Sequence, residues 1–154
     1  MHFVSVDLPV GRIGVFEQNG KIVRVSMLFS DSDCKLPPSP LAQRAAEQLE
    51  EYFLGERKEF DLPVSFEGVT PFRKRVYQEL LNIPYGETAT YKDLAVALGN
   101  PKASRAVGGA LNKNPLLIVV PCHRIIGSDG SLTGFAGGID KKRFLLQLEK
   151  NNNL

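Results

Sequence analysis

Residues 114–127 have the sequence NPLLIVVPCHRIIG, which decides how the second half of the chain is interpreted. The apolar run at 116–120 is long enough for one buried strand and short for a helix, so a buried strand is predicted. This strand leads into Pro121, Cys122 and His123. A cysteine beside a histidine at such a place is a candidate nucleophile, because the thiolate is the reactive form and a neighbouring base or cation promotes it.

The Cys122-His123 pair alone leaves other interpretations open. A buried structural cysteine is commoner than a reactive one. A cysteine hydrolase with many turnovers is also compatible with the pair. Side chains of sequence neighbours usually point apart, so a proton passing between these two would need a bridging water.

A helix-turn-helix pattern lies upstream of the cysteine. Residues 91–98 predict one short helix, residues 99–101 a turn, and residues 103–111 a second helix. The second helix carries Gly108 and Gly109 in its interior, where each glycine costs about 1 kcal/mol relative to alanine. Its small residues predict a flat face. Composition favours close packing against a neighbouring element, and the alternative is close approach to a partner backbone such as DNA.

The first third of the chain predicts three antiparallel strands. Residues 4–8 alternate in strand fashion, and residues 13–16 and 22–29 are rich in β-branched and aromatic side chains. Asn19-Gly20 separates the last two runs and predicts a two-residue hairpin turn, since both residues tolerate positive φ.

Two helices are predicted from their first residues. Ser39 as N-cap and Pro40 at the first helical position open one helix, which Gly55 ends. Thr70-Pro71 repeats the same signal for a second helix. Between them, the chain predicts a strand or an extended linker.

The last helix is predicted over residues 139–150. Its predicted core face consists of Phe144, Leu145 and Leu148. We therefore expect an α/β fold, with a small N-terminal lobe of antiparallel sheet plus helix at 1–69 and a mostly helical C-terminal lobe at 70–154. The second lobe would hold the helix-turn-helix and the candidate active-site cysteine.

Composition limits the class of protein. Residues 1–71 hold 7 Lys and Arg against 11 Asp and Glu, and residues 72–154 hold 12 against 6. This asymmetry suggests an anionic partner for the second half, with a chance distribution as the alternative. No apolar run suggests a membrane span and no signal peptide is recognised, so a cytoplasmic protein is expected. Cys34 and Cys122 are then expected to be reduced, and no paired Cys or His spacing suggests a metal.

The string around Cys122 resembles the active-site signature of the O6-alkylguanine-DNA alkyltransferases, whose core is Pro-Cys-His-Arg. Further blocks match in order and spacing: YKDLA at 91–95, GNPKASRAVG at 99–108, NP at 114–115 and GG at 137–138. The resemblance covers about residues 70–150. It implies repair of O6-alkylguanine in double-stranded DNA by transfer of the alkyl group to Cys122, once per molecule and with no cofactor. A monomer is expected, because the sequence shows no exposed apolar helix stripe. Whether O4-alkylthymine is also repaired stays open.

The resemblance also implies roles for the residues around the cysteine. His123 would take the Cys122 proton through a water, and Glu149 would orient the histidine, in the manner of hydrolase triads. Tyr91 would donate a proton toward guanine N3, and Asn114 would hold the turn before the strand. Lys142 would neutralise charge in the transition state. The guanine pocket would be formed around Ile125, Phe135 and Ala136. Taken without the resemblance, Glu149 reads as a solvated charge and Tyr91 as a packed helix-start residue.

DNA binding follows from the same resemblance. The second helix would enter the minor groove, and Arg105 would fill the space of an extruded nucleotide. The other predicted DNA-binding residues are Tyr91, Lys92, Asn100, Lys102, Ala103, Ser104, Gly108, Leu111 and Ser128. Binding would show little sequence preference and strong salt dependence.

Two departures and one alternative class remain. Phe135 and Ala136 stand where some relatives have Tyr and Ser, and the Cys and His residues that bind zinc in some relatives are missing, so no metal is expected. A non-catalytic lesion binder or a helix-turn-helix regulator is the alternative. The retained Cys122 argues against the first, and the small flat second helix argues against the second.

Overall fold

The computed structural model describes residues 1–30, 36–135 and 137–153. The chain divides into two compact units. The first unit consists of Met1–Glu67 and Pro115–Val119, and the second of Gly68–Asn114 and Val120–Leu154. The predicted α/β class is confirmed, since the first unit contains a three-stranded sheet with a helix and the second is mostly helical.

The sheet of the first unit is an antiparallel meander of β1 (His2–Leu8), β2 (Gly11–Gln18) and β3 (Lys21–Ser26). The predicted hairpin turn is confirmed, because Asn19 and Gly20 have φ values of 54° and 78°. The side chains of Ile13, Val15 and Val25 on the sheet are completely buried.

Helix α1 (Pro40–Phe53) packs against this sheet. It begins as predicted, with the Ser39 hydroxyl accepting a hydrogen bond from the Ala42 amide at 3.1 Å and proline in the first turn. Its buried face includes Ala45, Leu49 and Tyr52, which recur at helical spacing.

The predicted strand at residues 116–120 is wrong. These residues are buried, but only an isolated parallel bridge joins Leu116 to Val25 of β3, with Val25 N donating to Pro115 O at 2.8 Å and Leu117 N to Val25 O at 3.1 Å. The chain then reverses at Ile118, which has a φ of 71°, and Val119 N donates to Leu117 O at 2.7 Å. A β-branched residue at positive φ is strained, so a continuous strand ends there. The apolar run reflects burial and not strand geometry.

The second unit contains four helices among its described residues. Their bounds are α2 (Pro71–Leu80), α3 (Tyr91–Ala97), α4 (Ser104–Asn112) and α5 (Ile139–Asn152). The predicted helix-turn-helix is confirmed, with α3 packed on α4. Thr90 caps α3 in a reciprocal capping box with Asp93. A two-stranded parallel pair of β4 (Ala89–Thr90) and β5 (Ile125–Ile126) was not predicted, because two residues show no periodicity.

Helix α5 buries the predicted face only in part, since Leu145 is buried as predicted and Leu148 is half-buried. Phe144 is 42% exposed, whereas Lys142, Leu145 and Glu149 are buried. The periodicity of apolar residues failed here because two polar side chains have buried hydrogen-bonding partners and occupy the core stripe. In the part of the chain that the structure describes, no helix is long and apolar enough to cross a bilayer.

The Ser39 cap gives a prediction for stability. Ser39→Ala should lower the free energy of unfolding by about 1 kcal/mol, because it leaves the Ala42 amide without its acceptor. Ser39→Thr keeps an acceptor and should lose less. Urea denaturation of the three proteins measures this, and an unchanged midpoint for Ser39→Ala would show that the cap does not stabilise α1.

Candidate active site

Cys122 begins a single 3₁₀ turn, Cys122–Arg124, directly after the buried loop. Pro121 has φ −80° and ψ 63°, and Cys122 N donates to Val120 O at 2.8 Å, so an inverse γ-turn leads the chain into the 3₁₀ turn. The Cys122 side chain is only 4% exposed. Burial raises the pKa of its thiol, so forming the thiolate depends on groups that oppose this effect.

Asn114 and Lys142 are two such groups. The Asn114 amide nitrogen donates to Val120 O at 2.9 Å, and a hydrogen bond from the same side chain lowers the pKa of Cys122. The positive charge of Lys142 also lowers the pKa of that thiol. Both side chains are buried, and both were predicted as site residues.

His123 is completely buried and pairs with Glu149. Its Nε2 lies 2.7 Å from Glu149 Oε2, and because a carboxylate only accepts, Nε2 carries the hydrogen. Nδ1 is buried and has no hydrogen-bonding partner among the described residues. Burial holds the pKa of His123 below its usual value despite the opposing effect of Glu149. The neutral imidazole therefore offers a lone pair on Nδ1 that can take up a proton.

Arg124 was given no role by the sequence analysis, but it anchors the same carboxylate. Its Nε donates to Glu149 Oε1 at 2.8 Å and a terminal nitrogen donates to Oε2 at 2.9 Å. The other terminal nitrogen donates to Ile83 O at 2.7 Å. The only sequence signal was its place in the Pro-Cys-His-Arg string, since the fork geometry of arginine is visible only with its partner in place.

Glu149 is therefore not the solvated charge that its place near the chain end suggests. It is 1% exposed, and the Gly86 amide also donates to its Oε1, at 3.2 Å. Burial alone would raise the pKa of this carboxyl, but hydrogen bonds and charge from His123 and Arg124 hold it far below its usual range.

Tyr91 and Lys142 converge on one backbone carbonyl. The Tyr91 hydroxyl donates to Thr133 O at 3.0 Å, and Lys142 Nζ donates to the same oxygen at 2.8 Å. Lys142 is completely buried, which lowers the pKa of its ammonium group, while the charge of Cys122 opposes this effect. The loop that begins at Thr133 is thus held by two of the predicted site residues.

The predicted guanine pocket is described in part. Ile125 and Phe135 are both buried in the second unit. Ala136 lies outside the described residues, and so does Cys34. The roles of these residues stay predictions.

The predicted DNA-binding residues differ in exposure. Arg105 on α4 is exposed, as are Lys92, Asn100, Lys102 and Ser128; Tyr91, Ser104 and Gly108 are half-buried. Ala103 and Leu111 are buried, so their side chains belong to the packing of α4. A Cβ atom added to Gly109 would meet nothing within 4 Å among the described residues. Packing inside the described chain therefore does not require a glycine at 109.

Comparison with known proteins agrees with this geometry. Residues 1–66 match the family model of the 6-O-methylguanine DNA methyltransferase ribonuclease-like domain, and residues 71–151 match that of the DNA binding domain. The chain belongs to the 6-O-methylguanine DNA methyltransferase family.

Similar proteins support this family membership over the full length. The methylated-DNA–protein-cysteine methyltransferase of Methanosarcina mazei is 53% identical and covers 99% of each chain, and that of Methanosarcina barkeri is 45% identical with the same coverage. The structure of Mycobacterium tuberculosis OGT in complex with DNA superposes with a TM-score of 0.89 at 43% identity, covering 99% of this chain and 94% of that one. The predicted resemblance is confirmed for both halves of the chain, although only the second half suggested it.

The buried carboxylate gives a prediction on pH. Because the pKa of Glu149 is lower in the folded than in the unfolded chain, its contribution to stability is complete above the unfolded value, near pH 4.5, and is lost as the pH falls below it. Glu149→Gln should lower stability at pH 7 and remove up to about 1.4 kcal/mol per pH unit from the slope of stability against pH below 4.5. Urea titrations from pH 3 to pH 7 measure both slopes, with Asp140→Asn, an exposed carboxyl on the same helix, as control. Equal slopes for Glu149→Gln and the parent chain would refute the pairing.

Proposed function

We propose that the chain repairs DNA by moving the alkyl group of O6-alkylguanine to the sulfur of Cys122, once per molecule. Family membership and the activity in the names of the relatives support alkyl transfer as its chemistry. The observation on which the residue assignment depends is the buried His123, with Glu149 on Nε2 and an Nδ1 lone pair that no described residue uses.

The chemistry begins with deprotonation of a buried thiol. The Cys122 proton passes, through a bridging water, to Nδ1 of His123, and Glu149 stabilises the imidazolium that results. The thiolate attacks the alkyl carbon that is bonded to guanine O6, so that a sulfur–carbon bond forms while the bond between this carbon and O6 breaks. The electron pair of that bond leaves with guanine. The sulfur of the product thioether has no proton to lose and cannot become a thiolate again, so each molecule acts once.

The departing guanine needs stabilisation on its far side. The Tyr91 hydroxyl, which donates to Thr133 O in the present structure, would transfer that hydrogen bond to guanine N3. Lys142 would keep its own hydrogen bond to Thr133 O and so hold the loop in place during this exchange. Its buried positive charge also favours the negative charge that moves from sulfur to guanine.

Access to the base requires its removal from the duplex. The exposed Arg105 on α4, beside the small residues of this helix, would enter the minor groove and occupy the space of the extruded nucleotide. The exposed Lys92 and Lys102 would contact phosphates. The structure of Mycobacterium tuberculosis OGT in complex with DNA, which superposes on this chain with a TM-score of 0.89, supports DNA as the partner.

Gly109 links this proposal to a stability measurement. Gly109→Ala should raise the free energy of unfolding by about 0.5–1 kcal/mol, because a helix interior favours alanine and the added methyl meets open space. The same methyl should weaken binding to duplex DNA, because it stands on the surface that would approach the groove. Urea denaturation and fluorescence anisotropy at fixed salt measure the two effects. If Gly109→Ala is more stable but binds duplex DNA as tightly as the parent chain, the DNA does not approach α4 at residue 109.

The decisive test is the mass of the protein after reaction. Incubation with a duplex containing O6-methylguanine should add one methyl group, on the peptide that contains Cys122, and uptake should stop at one equivalent. Cys122→Ala should take up none, and Cys34→Ala should behave as the parent chain does.

Other outcomes point to other functions. Tight binding to the damaged duplex without a mass change would indicate a lesion binder. Repeated turnover on an ester or peptide would indicate a hydrolase. Methyl groups on Cys34 would refute Cys122 as the acceptor.

A further inference from the structure

Tyr77 is a buried polar group that the proposed mechanism does not use. It lies on α2 with a completely buried side chain, and its hydroxyl donates to the backbone oxygen of Ala110 at 2.7 Å. Ala110 belongs to the last turn of α4, the helix that carries Arg105. A hydroxyl from one helix therefore holds the end of another.

The end of α4 is tighter than an ideal helix. Lys113 N donates to Ala110 O at 3.1 Å and Asn114 N to Leu111 O at 3.2 Å, both with a spacing of three residues. The Ala110 oxygen, which an ideal helix would pair with the amide of residue 114, instead receives Lys113 N and the Tyr77 hydroxyl. Two donors on this oxygen fix the place where the helix stops.

Asn114 follows at once and faces the nucleophile. Its amide nitrogen donates to Val120 O, which also accepts from Cys122 N. The Asn114 side chain in addition hydrogen-bonds to Cys122 and lowers the pKa of the thiol. The position of Asn114 thus affects both the backbone before Cys122 and the charge on its sulfur.

We propose that Tyr77 is a positioning residue for Cys122: its hydroxyl fixes the last turn of α4, so that Asn114 presents its amide to Val120 and to the sulfur. The inference rests on the proposed function for its biological meaning. It adds a direct link between the helix that would contact DNA and the nucleophile.

Electrostatics agrees with this placement. Burial raises the pKa of Tyr77 to about 12, Arg73 opposes this rise, and negative charge on Cys122 adds to it. The tyrosine is therefore a neutral donor near neutral pH, and it lies within the electrostatic reach of the sulfur. Burial raises the pKa of Cys122, and the groups that lower it are Asn114 after α4, Lys142 on α5 and the backbone of the cysteine itself.

Tyr77→Phe is a clean test because it removes only the hydroxyl. The ring still fills the core, and Ala110 O keeps the Lys113 amide as donor, so no buried oxygen is left without a partner. Tyr52→Phe is the matched control, since Tyr52 on α1 is equally buried and belongs to the first unit.

The readout is the reactivity of Cys122 toward iodoacetamide as a function of pH, quantified on the Cys122 peptide by mass spectrometry. Tyr77→Phe should shift this profile to higher pH by roughly half to one unit and slow the reaction about 3- to 10-fold near neutrality. Single-turnover methyl transfer at pH 7 should slow by a similar factor, with less than about a twofold change in DNA affinity. Tyr52→Phe should change neither the profile nor the transfer rate.

A double-mutant cycle separates positioning from general stability. Because Tyr77 acts through Asn114, adding Tyr77→Phe to Asn114→Ala should slow the reaction by less than about twofold more. Multiplying effects, or a profile for Tyr77→Phe equal to that of the parent chain, would overturn the inference. Iodoacetamide requires no alkyl-transfer activity, so failure of methyl uptake by the parent chain would refute the proposed function and still leave this inference decided.

Discussion

The carboxylate of Glu149 is the group on which the buried polar cluster next to Cys122 depends. One buried side chain on α5 accepts hydrogen bonds from His123, from two nitrogens of Arg124 and from the Gly86 amide. Burying a carboxylate is costly unless its oxygens are satisfied, and here four donors and a permanent cation satisfy them. Burial holds the pKa of His123 below its usual value against the effect of Glu149, and the charge of Arg124 adds to the effect of burial, so the Nδ1 lone pair is kept.

Helix α4 meets opposite demands from folding and from the proposed binding of DNA. Glycine in a helix interior costs stability, and the structure shows no neighbour that would forbid a side chain at 109. Directly after Gly109, the Tyr77 hydroxyl donates to Ala110 O in the last turn, and the helix ends at Asn112, two residues before Asn114. The glycines keep the surface of α4 small, and the hydrogen bond from Tyr77 holds the last turn of this helix in place.

The sequence predicted local structure well, and it failed where long-range contacts decide. Caps and turns need only a few adjacent residues, so Ser39, Thr70 and Asn19-Gly20 were all interpreted correctly. The apolar run before Cys122 indicated burial but not backbone shape, because the reversal at Ile118 depends on the bridge to β3. The role of Arg124 was missed because its partner Glu149 is 25 residues away in sequence. The exposure of Phe144 was missed because Lys142 and Glu149, each with a hydrogen-bonding partner, occupy buried positions on α5. Family resemblance supplied the names of the site residues, and physical reasoning alone left Glu149 at the surface.

The bridge between Val25 and Leu116 also affects the order in which the chain can fold. The first unit is discontinuous in sequence, since Pro115–Val119 completes a fold whose other residues end at Glu67. A nascent chain therefore cannot finish its N-terminal unit until more than two thirds of the protein has been synthesised, and this late, non-local pairing raises the contact order of an otherwise simple meander. The two family-model regions, 1–66 and 71–151, are consequently not two separable folding units. A cut between them would leave the edge of β3 at Val25 unpaired and would deprive the segment before the nucleophile of its only described sheet partner.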